Sequence, residues 1–245
     1  MKQLFIILLV LPLMAMSQTF EKKMFSMTEF TVKQGHTAQF MEGVKKWKEC
    51  YNENEGTNSW GFWSRVQGEN NVYGVTGYMP NWADMDKEDM AGKSCRMLAM
   101  TFIVPHVEKS HYSISKTLPD WSKKTLGTDV KLVWATYFKV KNGALFSEII
   151  KEVTATIAVE EGEARGYWYS FMGGGEEDPN YMVTDLFSSY AAIDEDDKKD
   201  GPFALYKKVH GDKKAKQMMD KWSMAIGSSW SYIWEFNEEL SKALV

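Results

Sequence analysis

An internal echo about a hundred residues long constrains this chain more than any single motif. Trp60-Gly61-Phe62-Trp63, followed by Val72-Tyr73-Gly74-Val75-Thr76, returns as Arg165-Gly166-Tyr167-Trp168 and Tyr181-Met182-Val183-Thr184. Upstream of each, Met27-Thr28-Glu29-Phe30-Thr31-Val32-Lys33-Gln34-Gly35 is matched by Ala135-Thr136-Tyr137-Phe138-Lys139-Val140-Lys141-Asn142-Gly143. The firmest register lies in the third predicted strand. There Tyr73, Val75, Thr76, Trp82, Ala83 and Asp86 align without a gap on Tyr181, Val183, Thr184, Tyr190, Ala191 and Asp194. An ordered series of this kind implies one structural unit used twice.

Periodicity supplies the elements of that unit. Met24 to Lys33 is strand-like in length and residue type, and Gly35 ends it. From His36 to Tyr51, Phe40, Val44, Trp47 and Tyr51 fall at helical spacing, with Lys45, Lys46, Lys48 and Glu49 on the other side. Ser59 to Gln67 and Val72 to Met79 read as strands joined by the turn Gly68-Glu69-Asn70-Asn71. A second helix is predicted from about Gly92 to Ile103, and a fourth strand from His111 to Thr117.

The order is strand, helix, strand, strand, helix, strand over residues 24–117. After a linker at 118–129 it begins again over 130–240. In the second copy Phe146, Ile150, Val153 and Ile157 mark the first helix. Met218, Trp222 and Ile226 mark a late helix from about Asp212 to Ile226, before a strand from Ser229 to Phe236.

The N-terminus reads differently. Met1-Lys2-Gln3, an apolar run from Leu4 to Met14, and Ala15-Met16-Ser17 have the three parts of a secretory signal, with cleavage expected after Ser17. The run is shorter than the roughly 20 residues a spanning helix needs. The expectation is therefore a secreted or periplasmic bacterial protein with no membrane association after cleavage. Loss of Lys2 leaves 28 basic residues of the original 29 against 33 acidic ones, which argues against nucleic acid or anionic lipid as the main partner. Ten tryptophans require a large interior or an aromatic-lined pocket. The two cysteines, Cys50 and Cys95, suit either one disulfide or two separate thiols and exclude a four-cysteine zinc site.

A split β-α-β unit makes a ferredoxin-like sheet with both helices on one face, so its other face needs cover. Two copies can cover each other. The chain thus resembles the dimeric α/β-barrel superfamily, which includes antibiotic-biosynthesis-type monooxygenases, NIPSNAP-like and EthD-like proteins, and chlorite-dismutase-like haem proteins. The resemblance spans roughly Met24 to Leu240 and rests on element order, the Gly-aromatic-Trp strands and the repeat. It implies an α+β fold of two tandem ferredoxin-like repeats closing an intramolecular barrel. It also brings the end of the first helix near the start of the second, which implies a Cys50–Cys95 disulfide. A homodimer through the outer edges stays open. Haem-binding members are expected to carry an axial histidine on a helix of the second half. The only histidine there is His210, beside Gly211 at a predicted helix start, so no cofactor is expected.

Motifs of chemistry are sparse. His106 and His111 flank the entry to the fourth strand and can approach Glu29, as a base or part of a metal site, but no His-Glu-x-x-His accompanies them and no metal is expected. Gly173-Gly174-Gly175 precedes Glu176, Glu177 and Asp178 and then a strand, which makes it a turn and not a phosphate loop. The acidic run Asp194 to Asp200 puts Lys198 and Lys207 where a calcium loop needs oxygen ligands. On the Ser59 to Gln67 strand, alternation gives one face to Trp60, Phe62 and Val66 and the other to Trp63, Arg65 and Gln67. The second face suits a planar or acidic small molecule. Its expected equivalents in the second copy are Trp168, Ser170 and Met172, so the charge occurs in one half only.

Three readings follow: a binder of a small organic or aromatic molecule through Trp63, Arg65, Gln67 and Trp168; a cofactor-independent monooxygenase or isomerase using Glu29, Arg65 and His111; and a structural module without ligand.

Overall fold

The computed structural model describes residues 19–242, so the expected signal at 1–17 lies outside the described residues. The first half contains β1 (Met24–Val32), α1 (Thr37–Glu53), β2 (Gly61–Arg65), β3 (Val72–Met79), α2 (Met90–Ser94), α3 (Arg96–Phe102) and β4 (Val107–Thr117). The second contains β5 (Leu132–Val140), α4 (Gly143–Glu161), β6 (Tyr167–Phe171), β7 (Tyr181–Phe187), α5 (Tyr190–Asp196), α6 (Pro202–Ala225) and β8 (Ile226–Phe236). All eight strands join one closed barrel in the order β1-β3-β2-β8-β5-β7-β6-β4. Every pairing is antiparallel, and β2–β8 and β4–β6 join the halves.

The apolar stripes account for the layers. Phe40, Val44 and Tyr51 of α1 are buried against Phe62 and Tyr73 or against Trp60. Phe146, Ile150, Val153 and Ile157 of α4 pack with Trp168, Phe138 and Met218. Asn142 caps α4 by accepting from the Leu145 amide at 3.1 Å, and Gly162 ends it at φ 90°. A positive φ there suits glycine, which has no Cβ to clash. A third apolar cluster lies inside the barrel, with Met27, Tyr137, Tyr169, Met182 and Trp234 buried there.

Several boundaries differ from expectation. The helix expected from Gly92 is split at Cys95, and β4 begins at Val107 and not His111. The late helix starts after a break at Gly211 (φ 81°), as expected from about Asp212, and a further helical segment from Pro202 precedes it. The linker at 118–129 is partly structured, since a short 3-10 turn buries Trp121 with its ring centroid 5.9 Å from that of Trp168. Cys50 and Cys95 form a disulfide with Cα atoms 6.0 Å apart, joining the last turns of α1 to the junction of α2 and α3.

One correction concerns the repeat. Val75 and Val183 hold equivalent places, opposite Thr28 and Thr136 on their first strands. Phe62 faces Val75, whereas Trp168 faces Val183. The counterpart of Phe62 is therefore Trp168, that of Trp63 is Tyr169, and that of Arg65 is Phe171. The Gly-aromatic-Trp strings are offset by one residue, which in a strand moves every side chain to the opposite face.

Candidate functional site

Inward-pointing residues on the strands are not uniformly large. Gly61, Thr76, Ala135 and Thr184 are small or modest, and all four line a cavity of about 590 Å3 at the end of the barrel where β1, β2 and β5 begin. A close-packed interior leaves few voids larger than a water. This one falls within the roughly 300–1,000 Å3 range of small-molecule sites. Its walls are mainly apolar, with Phe25, Met27, Trp63, Val133, Leu186 and Phe236 among them.

The polar groups inside are few, and most of them bond to one another. The Trp63 indole N–H donates to Thr76 Oγ1 at 2.9 Å. The hydroxyls of Tyr78 and Tyr169 are 3.1 Å apart. Burial pushes both phenols above their ordinary range, Tyr169 strongly so with Tyr78 beside it. Tyr137 is raised too, by burial first and then by the nearby Glu29 carboxyl. These three are neutral hydrogen-bonding groups at physiological pH. Trp234 is buried against the same space with its indole Nε1 unpartnered.

Arg65 points into the barrel, as alternation from Trp63 requires, yet it does not line this cavity. It forms a separate cluster. Its side chain is only 7% exposed; Nη1 is 3.8 Å from Glu29 Oε2 and Nη2 is 3.9 Å from Glu69 Oε2. Nη2 also donates to the Glu69 carbonyl at 3.2 Å, and Nε has no partner. The guanidinium carbon stands 4.3 Å from the Tyr232 ring centroid and 5.9 Å from that of Trp234. Aromatic faces compensate part of the lost hydration of a buried cation. Burial raises the Glu29 carboxyl above its ordinary value, against the opposing pull of Arg65 and His111. His111 lies directly opposite Glu29 across the β1–β4 pair, and its Nε2 is 3.2 Å from Asp178 Oδ1.

The remaining expected site residues lie elsewhere. Gln67 uses Oε1 to accept from the Ile233 amide at 2.9 Å, a structural role at the β2–β8 seam, and it does not line the cavity. Trp168 is on the helix-facing side of the wall, stacked on Phe138 with centroids 5.6 Å apart. Its place in the lining is taken by Tyr169. His106 is turned toward His36, with their Nδ1 atoms 2.8 Å apart, and is not near Glu29 in the pairing of β1 with β4. Tyr78, Tyr169, Thr76 and Ala135 were not singled out from sequence. No local signal marks them, because the small inward residues around them sit on strands far apart in sequence.

The residues between sheet and helices of the second half do not fit a haem. Trp168, Phe138, Phe146 and Trp222 occupy that space. His210 lies inside α6, with Nε2 3.0 Å from Thr156 Oγ1 and its ring 4.3 Å from that of Tyr206. Among the described residues, no cluster of three His, Cys, Asp or Glu side chains is placed to hold a metal ion, and no helix is long and apolar enough to cross a membrane.

No protein-family model matches the chain, and no curated protein matches it in sequence. Solved structures share its fold. It is similar to an anthrone oxidase-like protein at 13% identity and TM-score 0.55, over 89% of this chain and 92% of that one. It is similar to a proposed monooxygenase from Lactobacillus acidophilus at 14% identity and TM-score 0.52, over 88% and 94% of the two chains. A mutant chlorite dismutase from Candidatus Nitrospira defluvii, solved with cyanide, matches at 8% identity and TM-score 0.52, over 89% and 92%. The fold is accordingly that of the monooxygenase-like and chlorite-dismutase-like α/β barrels.

Proposed function

We infer that the protein is exported and binds a small organic molecule, aromatic or otherwise apolar, in the barrel cavity beside Trp63. The observation that carries this reading is the cavity of about 590 Å3, walled by aromatic and aliphatic side chains in an otherwise tightly packed barrel. Export is supported by the signal-like residues 1–17 and by the Cys50–Cys95 bridge, since such bonds persist in oxidising compartments. The matched strand orders β4-β1-β3-β2 and β8-β5-β7-β6 support a reading as two tandem ferredoxin-like repeats.

The test is a thermal-shift and tryptophan-fluorescence screen of aromatic and alkyl compounds against the mature chain and Ala135→Leu. Ala135 lines the cavity on a buried stretch of β5, so added methyl groups there enter the empty space. Stabilisation of the parent chain that Ala135→Leu abolishes supports the reading. No shift with any compound removes it.

A second reading, a cofactor-independent monooxygenase or isomerase, is favoured by the pairing of buried Arg65 with the half-buried Glu29. A carboxyl with raised proton affinity next to a fixed cation suits proton abstraction followed by stabilisation of an anion. The names of the anthrone oxidase-like and monooxygenase-like neighbours point the same way by analogy of fold only. Turnover of a bound phenol or ketone that is lost in Arg65→Ala and kept in surface controls supports it, whereas binding without turnover leaves the binder reading.

A further inference from the structure

Two hydroxyls that bond to each other use one proton and leave one over. Resting on the binding reading above, we propose that the cavity takes an uncharged aromatic molecule carrying one hydrogen-bond acceptor, and that this acceptor is bound by the Tyr78 hydroxyl. The Tyr78 and Tyr169 oxygens are 3.1 Å apart, and both residues line the cavity. They come from different halves of the chain, β3 and β6, and each packs on Phe25, with ring centroids 5.2 and 4.9 Å from it. A phenol has one proton to give and an oxygen that accepts. One proton closes the pair, and the other has to find its acceptor elsewhere.

Burial decides which proton is left. Tyr169 is 4% exposed, and an O–H so covered is costly without an acceptor, so it gives its proton to Tyr78. The two phenols shift accordingly. Their bond favours the ionised form of Tyr78 and the neutral form of Tyr169, as it does when Tyr169 is the donor, and the Thr184 hydroxyl acts on Tyr169 as a donor in turn. Tyr78 is 39% exposed and has no other side-chain partner among the described residues, so its O–H is the one a ligand meets. The other donors on the wall are committed or covered. Trp63 gives its N–H to Thr76 at 2.9 Å, and the Thr76 hydroxyl faces the Gly61 carbonyl at 3.5 Å. The unpartnered Trp234 Nε1 is covered, and Tyr137 is 5% exposed. The ionisable lining groups other than tyrosine, Glu21, Lys23 and Lys242, lie outside the strands. An ionised ligand would thus lose its hydration among the strand residues without a charge to replace it.

The experiment compares 2-acetylnaphthalene with 2-ethylnaphthalene, which are close in shape and differ in the carbonyl, on the mature chain by tryptophan-fluorescence titration. The hydrocarbon leaves water more readily, so the quantity read is the ratio of ketone to hydrocarbon affinity in the parent chain against Tyr78→Phe. The proposal expects that ratio to fall about fivefold or more in Tyr78→Phe, with hydrocarbon affinity little changed. It also expects the carbonyl stretch of the bound ketone to lie below its value in hexane in the parent chain and to return toward that value in the variant. An unchanged ratio, or binding of the hydrocarbon alone by the parent chain, overturns the acceptor assignment and leaves the apolar cavity reading standing. A ratio that falls only in Tyr78→Phe/Tyr169→Phe moves the contact to Tyr169 and overturns the assignment to Tyr78. Binding of neither compound overturns both readings. If Tyr78→Phe does not fold, the stretch in the parent chain decides, and a value equal to that in hexane overturns the proposal.

Discussion

Arg65 and Glu29 meet inside the barrel although their strands are not neighbours: Nη1 of one is 3.8 Å from Oε2 of the other, across the intervening strand β3. Gly74 lies between them on β3. It is the cross-strand partner of Glu29 on one side and of Trp63 on the other, and a Cβ there would fall 2.7 Å from Met27 Cε and 3.2 Å from Trp234 Cζ3. Arg65→Met should leave the half-buried Glu29 without its main opposing cation and lower stability at neutral pH by about 1 kcal/mol. The double variant Glu29→Gln/Arg65→Met should recover most of that loss in urea titrations. Equal loss in the single and double variants would show that the two groups are uncoupled.

Asp185 gives the chain a distinct pH dependence. Burial, with Asp196 nearby, raises its carboxyl from 3.8 to about 6, while Arg165, Lys199 and Lys123 pull the other way. The folded state thus holds a proton that the unfolded state releases earlier. Stability from this group is complete below about pH 4 and is lost as pH rises through about 6, by up to about 3 kcal/mol. Asp185→Asn should flatten that segment of the stability profile and be the more stable form at pH 7, as read by denaturation at a series of pH values.

Reduction of Cys50–Cys95, which closes a loop of 45 residues in sequence separation, should destabilise the protein by about 4 kcal/mol on chain-entropy grounds. Urea midpoints with and without reductant measure it. The Cys50→Ser/Cys95→Ser variant should show the same low midpoint and no response to reductant.

Trp63 and Trp168 should separate cleanly. Trp168 is 6% exposed in the core between sheet and helices, so Trp168→Ala should cost about 3–5 kcal/mol in stability while leaving any cavity ligand bound below the melting point. Trp63→Ala should reduce ligand affinity by more than it reduces stability, because its indole lines the cavity. Parallel melting and binding curves for the two variants check the contrast.

The same pair explains what was legible beforehand. The third strands aligned correctly because Tyr73, Val75 and Thr76 match Tyr181, Val183 and Thr184 in both chemistry and spacing. The second strands misaligned because Tyr167, Trp168 and Tyr169 are all buried aromatics. With both faces of β6 covered, no polar residue marks the period, and a glycine-aromatic-Trp string is free to match one residue out of register. Arg65 was placed on the correct face of β2, since Phe62 and Trp63 alternate between helix side and barrel side there. The cavity was not legible, because it arises from small side chains on β2, β3, β5 and β7 that are far apart in sequence and become adjacent only when the barrel closes.

Closure also decides how this chain can associate with others. With β2 bonded to β8 and β4 to β6, each strand among the described residues has a neighbour on both sides. The seams are short, however: β2 meets β8 only at Trp63 to Arg65, and β4 meets β6 only at Ser115 to Thr117. Residues 107–113 of β4 and 226–232 of β8 are therefore paired on one side alone, by β1 and β5. Unpaired amides and carbonyls in a row are a template for another strand, so these two protruding stretches are where one copy can extend the sheet of a second.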